Sequence, residues 1–397
     1  MRIALLTQGY QSAGGVQAVS RWLVNGLPHE LGSIRVFNLA AGHNDGRSRR
    51  LMAPGSWARG PVLEDDSREA DVVQVGTPLA EFEPCRYLPS KALTKELAQY
   101  DVILVVAGGP ALAFAAHKAG RPVVLQVATT VRWERESITR QLTPARRLLS
   151  TMATKVTEIL ERKSLSSVDV VLVENPVMEA EVARVAPATQ VVLAPPGIDC
   201  HAFAATNCWN SGGPVVSVGR LAEPRKGWGR MFHAYASLLE RMPGAPPLVI
   251  AGRGQLSLSD LDELVALGIE DRVTVIPDIS PAALKGLLHE GSVFWQTSYE
   301  EGLGIAAIEA MAAGLPVVAT RTAGTEMSVL DGVTGYLIAQ DSELPKKFAK
   351  ATVQILSGDG SEMSQRGLSR ASEEFDSEVT LRRFVDVCRT LVGTERK

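Results

Sequence analysis

The stretch SVFWQTSYEEGLGIAAIEAMAAGLPVVAT, residues 292–320, decides the fold class. It starts with an apolar run, passes through a glycine-bearing loop into a predicted helix from about 304 to 313, and ends in a second apolar run. A strand, a helix and a second strand in this order form the crossover unit of a parallel sheet. Because the strands are uniformly apolar, helices are expected to cover both faces of that sheet.

Nine further stretches contain similar apolar runs, most of them followed by a glycine-bearing loop and a helical pattern. The ten candidate strands are RIALLTQG, DVILVVAGG, RPVVLQVA, VDVVLVEN and QVVLAPPG in the first half, and GPVVSVGR, PLVIAGRG, RVTVIPD, SVFWQTS and LPVVAT in the second. Ten strands are too many for one comfortable sheet, so we expect an α/β protein with two Rossmann-like domains that face each other across a cleft. The expected division is a first domain 1–195, a linker 196–213, a second domain 214–375 and a C-terminal helix 376–397 that packs back on the first domain.

Composition excludes several classes of protein. A hydrophobic content of 45% argues against a disordered chain, and 41 basic against 44 acidic side chains argue against a nucleic-acid binder that relies on a basic face. Every apolar stretch falls short of the ~20 residues that a membrane-spanning helix needs. The N-terminus lacks the features of a signal peptide. We therefore expect a soluble, cytoplasmic protein with at most peripheral membrane contact.

Familiar nucleotide and metal fingerprints do not occur in the chain. The sequence has neither G-x-G-x-x-G nor G-x-x-x-x-G-K-[ST]. Asp260 and Asp262 form a D-x-D, but they follow Ser-Leu-Ser and open a helical pattern, so helix capping is the better interpretation. We expect neither a metal ion nor a resident cofactor.

The loop at 300–304 and the helix after it carry the chemistry. Gly302 and Gly304 allow a ligand to approach the backbone, and the N–H groups at the helix start favour an anion or sugar oxygens. Glu309 is the one charge between 302 and 320, and its two oxygens match the hydroxyls of a vicinal diol such as ribose. Glu301 could serve a second diol on a sugar. The alternative is a buried ion pair together with an exposed acid in a turn.

These residues resemble the family 4 glycosyltransferases, whose retaining GT-B members carry two glutamates separated by seven residues. The matching residues are Glu301, Gly302, Leu303, Gly304, Glu309, Ala310, Met311, Ala312, Gly314, Pro316, Val317, Val318, Gly324, Thr325 and Glu326. Other stretches agree in the same order: 14–16, 196–199 with Phe203, 218–220, 226–227, 251–254, and 331–332 with Gly335. The resemblance spans nearly the whole chain and is loosest from about 40 to 95.

The resemblance implies a nucleotide-sugar donor in the second domain and an acceptor in the first. It makes Arg220 and Lys226 a clamp for the leaving diphosphate, although surface charges on an ordinary turn explain the pair without it. Glu301, Arg220 and Lys226 are thus the expected catalytic residues. The expected donor-binding residues are Glu309, Gly302, Leu303, Gly304, Gly14, Gly15 and Arg253. A plain strand-to-helix turn explains Gly14 and Gly15 almost as well.

The residues around the first predicted strand, 3–20, bear on whether the transfer inverts or retains the configuration of the sugar. Residues 3–20 contain no Asp, Glu or His, so this loop cannot supply the general base that an inverting enzyme needs. Retention by front-side displacement, which the resemblance implies, uses the departing phosphate oxygen instead. The family usually places a histidine where this chain has Ala128. The neighbouring Thr129, Thr130 and Arg132 are the acceptor-side candidates.

The leading function is transfer of a sugar from a nucleoside-diphosphate sugar to a small-molecule, glycan or lipid-linked acceptor. A non-catalytic nucleotide-sugar-binding or scaffold protein is the alternative that Ala128 keeps open. An epimerase or donor hydrolase ranks last, because the first loop lacks acid–base residues. A mixed basic helix over 143–166 could dock on a membrane surface, but Glu158 and Glu161 dilute its charge and favour packing on the sheet.

Overall fold

The computed structural model describes residues 1–12, 15–139, 144–204 and 209–394. The chain divides into two compact domains. The first comprises Met1–Pro196 and Leu381–Lys397, and the second comprises Gly197–Thr380.

The first domain contains an eight-stranded sheet. Its strands are β1 (Arg2–Gln8), β2 (Ser33–Leu39), β3 (Leu63–Asp65), β4 (Val72–Val75), β5 (Val102–Ala107), β6 (Val123–Val127), β7 (Val170–Val173) and β8 (Gln190–Leu193). They lie in the order β3-β4-β2-β1-β5-β6-β7-β8. The β3–β4 pair is antiparallel and the other pairs are parallel. Every residue of β4, β5, β6 and β7 is buried, as strands covered on both faces require.

Helices cover both faces of the first sheet. They are α1 (Gly15–Leu31), α2 (Gly55–Arg59), α3 (Glu83–Arg86), α4 (Lys91–Leu97), a 3₁₀ helix (Pro110–Ala116), α5 (Val131–Thr139), α6 (Pro144–Leu165) and α7 (Pro176–Val185). The C-terminal part of the chain completes this core, since Phe384 packs edge-to-face on Trp22 at 5.3 Å between ring centroids. Cys388 lies in the same apolar cluster.

The second domain contains a six-stranded parallel sheet in the order β11-β10-β9-β12-β13-β14. Its strands are β9 (Val215–Val218), β10 (Leu248–Gly252), β11 (Val273–Pro277), β12 (Val293–Gln296), β13 (Val317–Thr320) and β14 (Gly335–Ile338). Its helices are α8 (Cys200–Phe203), α9 (Trp228–Arg241), α10 (Leu258–Ala266), α11 (Pro281–Glu290), α12 (Ile305–Ala312), α13 (Ala323–Ser328), α14 (Leu344–Gln354) and α15 (Gly360–Glu374). The last helix, α16 (Ser377–Thr394), begins at the end of the second domain and belongs to the first from Leu381 onward. Shorter turns are 3₁₀ at Pro224–Lys226 and Glu270–Arg272, and π-helical at Ile355–Asp359.

Each sheet has one point at which the strand order reverses. In the first sheet it lies between β1 and β5, and in the second between β9 and β12. Loops that leave the carboxyl ends of such neighbouring strands diverge and open a crevice, where ligands of α/β proteins bind. The two reversal points are therefore the places to look for binding sites.

The ten strands predicted from the sequence are all present, and four more were missed. The missed strands β2, β3, β4 and β14 include SIRVFNL, which interleaves polar with apolar residues, and a three-residue antiparallel edge strand. Neither pattern has the uniform apolar run on which the prediction relied.

Part of the segment expected to be a linker has structure of its own within the second domain. Ile198 pairs with Asp376 in an isolated bridge, and α8 follows directly. The indole of Trp209 donates to the carbonyl oxygen of Ser292 at 2.7 Å.

The helix expected over 143–166 is α6, and its described side chains differ from the expected amphipathic pattern. Leu160, Glu161 and Leu165 are buried, whereas Met152 and Ile159 are more than half exposed. Glu161 is thus an interior residue, a position that its place among the basic residues of this helix did not indicate. Within the described residues, no helix is both long and apolar enough to cross a membrane.

Candidate functional site

The candidate site lies at the reversal point of the second sheet, where β9 and β12 end. The loop after β9 runs from 219 to 227 and carries the cations, and the loop after β12 runs from 297 to 304 and carries the acidic residues. Tyr299 N–H donates to the carbonyl of Arg225 at 2.8 Å. The hydroxyl of Thr297 lies 3.1 Å from the carbonyl oxygen of Lys226 and 3.0 Å from that of Gly227. The two loops are therefore fixed to each other through the backbone.

Two glycines make this arrangement possible. Gly227 has φ 69°, in the left-handed region, and a Cβ there would lie 2.6 Å from the carbonyl oxygen of Thr297. A Cβ on Gly219 would lie 3.3 Å from Cδ of Lys226. The glycines thus allow the cationic loop to lie against the end of β12 and let the Lys226 side chain pass over β9.

Lys226 and Glu301 form a nearly buried ion pair. Lys226 Nζ lies 2.6 Å from Glu301 Oε1, and their side chains are 13% and 9% exposed. The hydroxyl of Ser298 donates to the same oxygen at 2.5 Å. Burial alone would raise the pKa of the Glu301 carboxyl, but the Lys226 ammonium and the Ser298 hydrogen bond outweigh it and lower that pKa. Glu301 is therefore a carboxylate at neutral pH.

The other cations of the loop share one carboxylate. Arg220 Nε lies 2.8 Å from Glu223 Oε2, and Arg225 pairs with the other oxygen of Glu223. The Arg220 side chain is 56% exposed, and an exposed ion pair adds little stability. Its guanidinium can therefore leave Glu223 and turn toward a ligand with little loss of stabilising free energy.

The start of α12 presents backbone donors beside this ion pair. Gly304 caps the helix with φ 77°, and in the described structure the N–H groups of Leu303 and Gly304 have no hydrogen-bond acceptor. Gly324 N–H donates to the carbonyl of Glu301 at 3.0 Å. A Cβ at Gly324 would lie 2.6 Å from Leu303 N, so this glycine lets α13 support the loop.

Glu309 lies in the second turn of α12, and its side chain is partly buried. Among the residues that the structure describes, its carboxylate has neither a cation nor a hydrogen-bond donor. Burial raises the pKa of Glu309 to about 7. The buried ion pair considered as an alternative therefore involves Glu301 and not Glu309.

The remaining predicted site residues are more scattered. Arg253 is exposed, and its carbonyl accepts from Leu221 N–H at 2.8 Å. Gly15 begins α1, while Gly14 lies outside the described residues.

The acceptor-side candidates follow Ala128, which comes directly after β6. Thr130 is buried, and its hydroxyl oxygen accepts from Trp133 N–H at 3.4 Å. Thr129 is partly buried, and Arg132 is exposed on α5.

Sequence reasoning missed Glu223, Arg225 and Ser298. Glu223 and Arg225 belong to the same short EPRK stretch as Lys226, and Ser298 precedes Glu301 by three residues. That spacing is the one local signal for the hydrogen bond between Ser298 and Glu301.

No group of three His, Cys, Asp or Glu side chains suited to a metal ion occurs in the described part of the chain. Asp260 and Ser257 form a capping box at the start of α10, which confirms the capping interpretation of the D-x-D.

Comparison with solved structures defines the class of fold. Sucrose-phosphate synthase from Thermosynechococcus elongatus superimposes with a TM-score of 0.70 at 22% identity, covering 99% of both chains. HepE of Anabaena in complex with UDP also gives 0.70, at 18% identity, over 98% of this chain and 100% of that one. The two parallel-sheet α/β domains are thus those of the GT-B fold, as the resemblance predicted.

Sequence comparison then gives the family. Residues 213–358 match the model of the family described as Glycosyl transferases group 1. D-inositol 3-phosphate glycosyltransferase of Corynebacterium urealyticum is 30% identical over 257 residues, which are 59% of each chain. The enzyme of the same name from Salinispora tropica is 29% identical over 52% of this chain and 48% of its own. The chain spans only about half the length of these curated relatives. Over the matched residues, the second domain is thus similar to the group 1 glycosyltransferases, in line with the resemblance.

Proposed function

We propose that this chain is a retaining, metal-independent glycosyltransferase that moves a sugar from a nucleoside-diphosphate sugar to an acceptor hydroxyl. The observation that carries the proposal is the buried pair of Lys226 and Glu301, set between two loops at the reversal point of the second sheet. Taking two charges out of water is costly, and such a pair is a common sign of a site in which the charges act on a ligand.

The donor would be held by the residues of this site in three places. Lys226 has three N–H donors and gives one to Glu301, which leaves two for the diphosphate. Arg220 would add a second cation. Leu303 and Gly304 would donate their backbone N–H groups to the oxygens of the transferred sugar, and Glu301 Oε2 would accept from one of its hydroxyls. The ribose diol would bind Glu309.

The reaction would proceed on one face of the sugar. The bond between the anomeric carbon and the diphosphate oxygen breaks, and the electron pair leaves with the diphosphate. The acceptor oxygen bonds to the same face of the anomeric carbon, and its proton passes to the departing phosphate oxygen. Lys226 and Arg220 would neutralise the charge that develops on the diphosphate, which is the role that a metal ion plays in other enzymes. The step needs no protein base, consistent with the lack of acidic residues and histidine in 3–20.

The first experiment is a panel of UDP-, GDP-, ADP- and dTDP-sugars, with melting temperature and release of free diphosphate as readouts. UDP-glucose comes first, since HepE of Anabaena has been solved in complex with it. A ligand of the native state raises the melting temperature. We expect one donor to do so in the wild type and to lose most of its effect in Glu309→Ala. If no donor binds at millimolar concentration, the proposal is wrong.

A non-catalytic nucleotide-sugar-binding protein is the second candidate, and Ala128 after β6 is the observation that favours it. The same panel of nucleotide sugars, tested with acceptors added, distinguishes a transferase from a binding protein. A donor that raises the melting temperature while no acceptor ever releases diphosphate would favour the binding protein.

A further inference from the structure

The outward face of α6 carries large apolar side chains that the rest of the described chain leaves exposed. Met152 and Ile159 are 59% and 54% exposed, and Val156 between them is 40% exposed. Residues three and four apart lie on the same side of a helix, so these three side chains form one stripe along α6. Single exposed apolar residues are ordinary, whereas a contiguous group of them is a sign of an interaction surface.

Cations share this side of the helix with the apolar stripe. Lys155, Arg162 and Lys163 are exposed, and each lies three or four residues from a member of the stripe. In the part of the chain that the structure describes, none of the three forms an ion pair. Together these six side chains form the α6 face: Met152, Lys155, Val156, Ile159, Arg162 and Lys163.

The two acids of α6 lie outside the α6 face, although both were expected to dilute the charge of the helix. Glu161 is 6% exposed, and its Oε1 accepts from Val131 N–H at 2.9 Å. A Cβ on Gly109, which follows β5 by two residues, would lie 2.8 Å from the same oxygen, so Glu161 points into the domain at the end of β5. Glu158 is partly buried. Among the side chains of α6 that the structure describes, the exposed charges are therefore all positive.

A second group of exposed apolar side chains lies close to α6 in the first domain: Leu51, Met52, Trp57 and Phe82. The backbone N–H of Leu51 donates to Glu81 Oε1 at 2.9 Å, two residues before α3 begins. Arg135 joins α3 to α6, because it pairs with Glu83 and its Nη1 donates to Thr154 Oγ1 at 3.0 Å. Exposed apolar residues are thus concentrated on this part of the first domain.

A second copy of the chain does not suit the α6 face. A two-fold interface would bring the face against itself and bury three cations from each copy with no acid of the face to pair them. Protein interfaces also keep charged residues out of their centre, whereas Lys155 falls between Met152 and Ile159 along the helix. A lipid surface suits both features, because the stems of lysine and arginine lie along apolar surface while their charged ends reach the headgroups.

We propose that the α6 face docks the protein on a membrane surface that carries anionic lipids, with α6 lying in the plane of that surface. Its three apolar side chains enter the boundary between headgroups and acyl chains, and its three cations contact anionic headgroups. This docking goes beyond the proposed function, which assigns no role to the α6 face, and does not depend on it.

Flotation of the full chain with lipid vesicles tests the docking. One set of vesicles contains phosphatidylcholine alone, and the other contains phosphatidylcholine and phosphatidylglycerol in equal parts. We expect about tenfold or stronger binding to the anionic vesicles than to the neutral ones. Binding should weaken at about 1 M salt, where the Debye length falls to about 3 Å. No binding to the anionic vesicles, or equal binding to both kinds, overturns the proposal.

The charge of the α6 face is tested by a triple variant: Lys155→Gln, Arg162→Gln and Lys163→Gln. Each cation near an anionic surface strengthens binding about fivefold, so the loss of three should weaken binding about a hundredfold. The matched control removes three exposed cations from the other face of the first sheet, where α1 and α16 pack: Arg21→Gln, Arg382→Gln and Arg389→Gln. The control should bind like the wild type. An equal loss in the control would show a non-specific attraction of net charge and refute the assignment to α6.

The apolar stripe is tested by a second triple variant: Met152→Gln, Val156→Gln and Ile159→Gln. It keeps every charge and should weaken binding about tenfold or more, also at high salt. Val156→Glu, which puts an acid at the centre of the face, should act in the same direction. All these substitutions are at exposed positions, so the melting temperatures should stay close to that of the wild type. Unchanged vesicle binding in the folded variants refutes the proposal.

Sedimentation of the same variants without lipid tests the competing occupant. We expect the wild type and the apolar triple variant to have the same oligomeric state. If the wild type is a dimer that the apolar variant converts into a monomer, and it does not float with anionic vesicles, the α6 face is an interface between two copies and the proposal is wrong.

Discussion

Glu301 and Glu161 are both buried glutamates near the reversal point of a parallel sheet, and their pKa values are shifted in opposite directions. Glu301 lies 2.6 Å from the Lys226 ammonium, and its pKa is lowered. Glu161 has one backbone N–H as its donor, and burial raises its pKa to about 8. The same side chain is thus a carboxylate in one domain and largely a neutral acid in the other at pH 7. The partner, and not the depth of burial, decides the charge.

The largest expected effect comes from removing the partner of Glu301. Lys226→Met leaves a buried carboxylate unpaired, which should cost about 3–5 kcal/mol of unfolding free energy as well as most of the turnover. Because the ion pair couples stability to turnover, a loss of activity in one single variant would be ambiguous. Urea unfolding of Lys226→Met, Glu301→Gln and the double variant forms a double-mutant cycle.

The double variant is the decisive member of that cycle. Without either charge it should recover most of the stability while remaining inactive. If it is as unstable as Lys226→Met, the two side chains are not coupled. If it retains wild-type turnover, the pair has no role in the reaction.

The second prediction concerns the pH dependence that Glu161 gives to folding. Its pKa is raised from 4.5 to about 8, so between these values the folded state holds a proton that the unfolded state has lost. Stability should therefore fall as pH rises through this window, by about 1–3 kcal/mol. Glu161→Gln should remove this fall and be more stable than the wild type at pH 8.5.

Chemical unfolding at pH 5 and pH 8.5 measures this effect, with Glu158→Gln as control. For Glu301 the sign is opposite, because a lowered pKa gives stability that is lost as pH falls through it. An equal pH dependence in Glu161→Gln and the wild type would contradict the environment assigned to Glu161.

The third prediction concerns Glu309, whose pKa burial raises to about 7. If the ribose hydroxyls donate to its carboxylate, a proton must leave before the donor binds. The affinity for a UDP-sugar should therefore be about tenfold weaker at pH 6 than at pH 8. Calorimetric titration at both pH values, with Glu309→Gln as the variant in which this difference disappears, provides the measurement. The same pH difference in both proteins would show that another group is responsible.

The smallest effect is expected at the exposed end of the cationic loop. Arg220 is 56% exposed and pairs with Glu223 at the surface. Arg220→Ala should change the unfolding free energy by no more than about 0.5 kcal/mol, and should lower turnover about threefold to tenfold. The melting temperature and the turnover rate of Arg220→Ala, each compared with the wild type, test this prediction. A loss of stability as large as that of Lys226→Met would remove the distinction drawn between the two cations.

Much of the second domain was predictable because the residues that indicate its elements lie close together in the sequence. The apolar run, the glycines at 302 and 304, and Glu309 follow one another within one crossover unit, so strand, loop and helix could be assigned from spacing. The pairing of Lys226 with Glu301 was not predictable in this way, since the two residues are 75 positions apart and meet only because β9 and β12 are neighbours.

The first domain was less predictable, and Glu161 shows why. In the sequence it is one acid among the basic residues of a long helix, and nothing next to it marks it as buried. Its burial depends on Gly109 and Val131, which come from the ends of other elements and leave no periodic signal near position 161.

The most direct test of the central claim is the anomeric configuration of the transferred sugar. Proton NMR during the first minutes of turnover of an α-linked nucleotide sugar, at high protein concentration and with water as acceptor, records the product before it mutarotates. We predict that the α-anomer is released first, in step with free diphosphate, and that Lys226→Met and Glu301→Gln release neither. Release of the β-anomer first, or no release at all from a donor that binds, would contradict retaining transfer at this site.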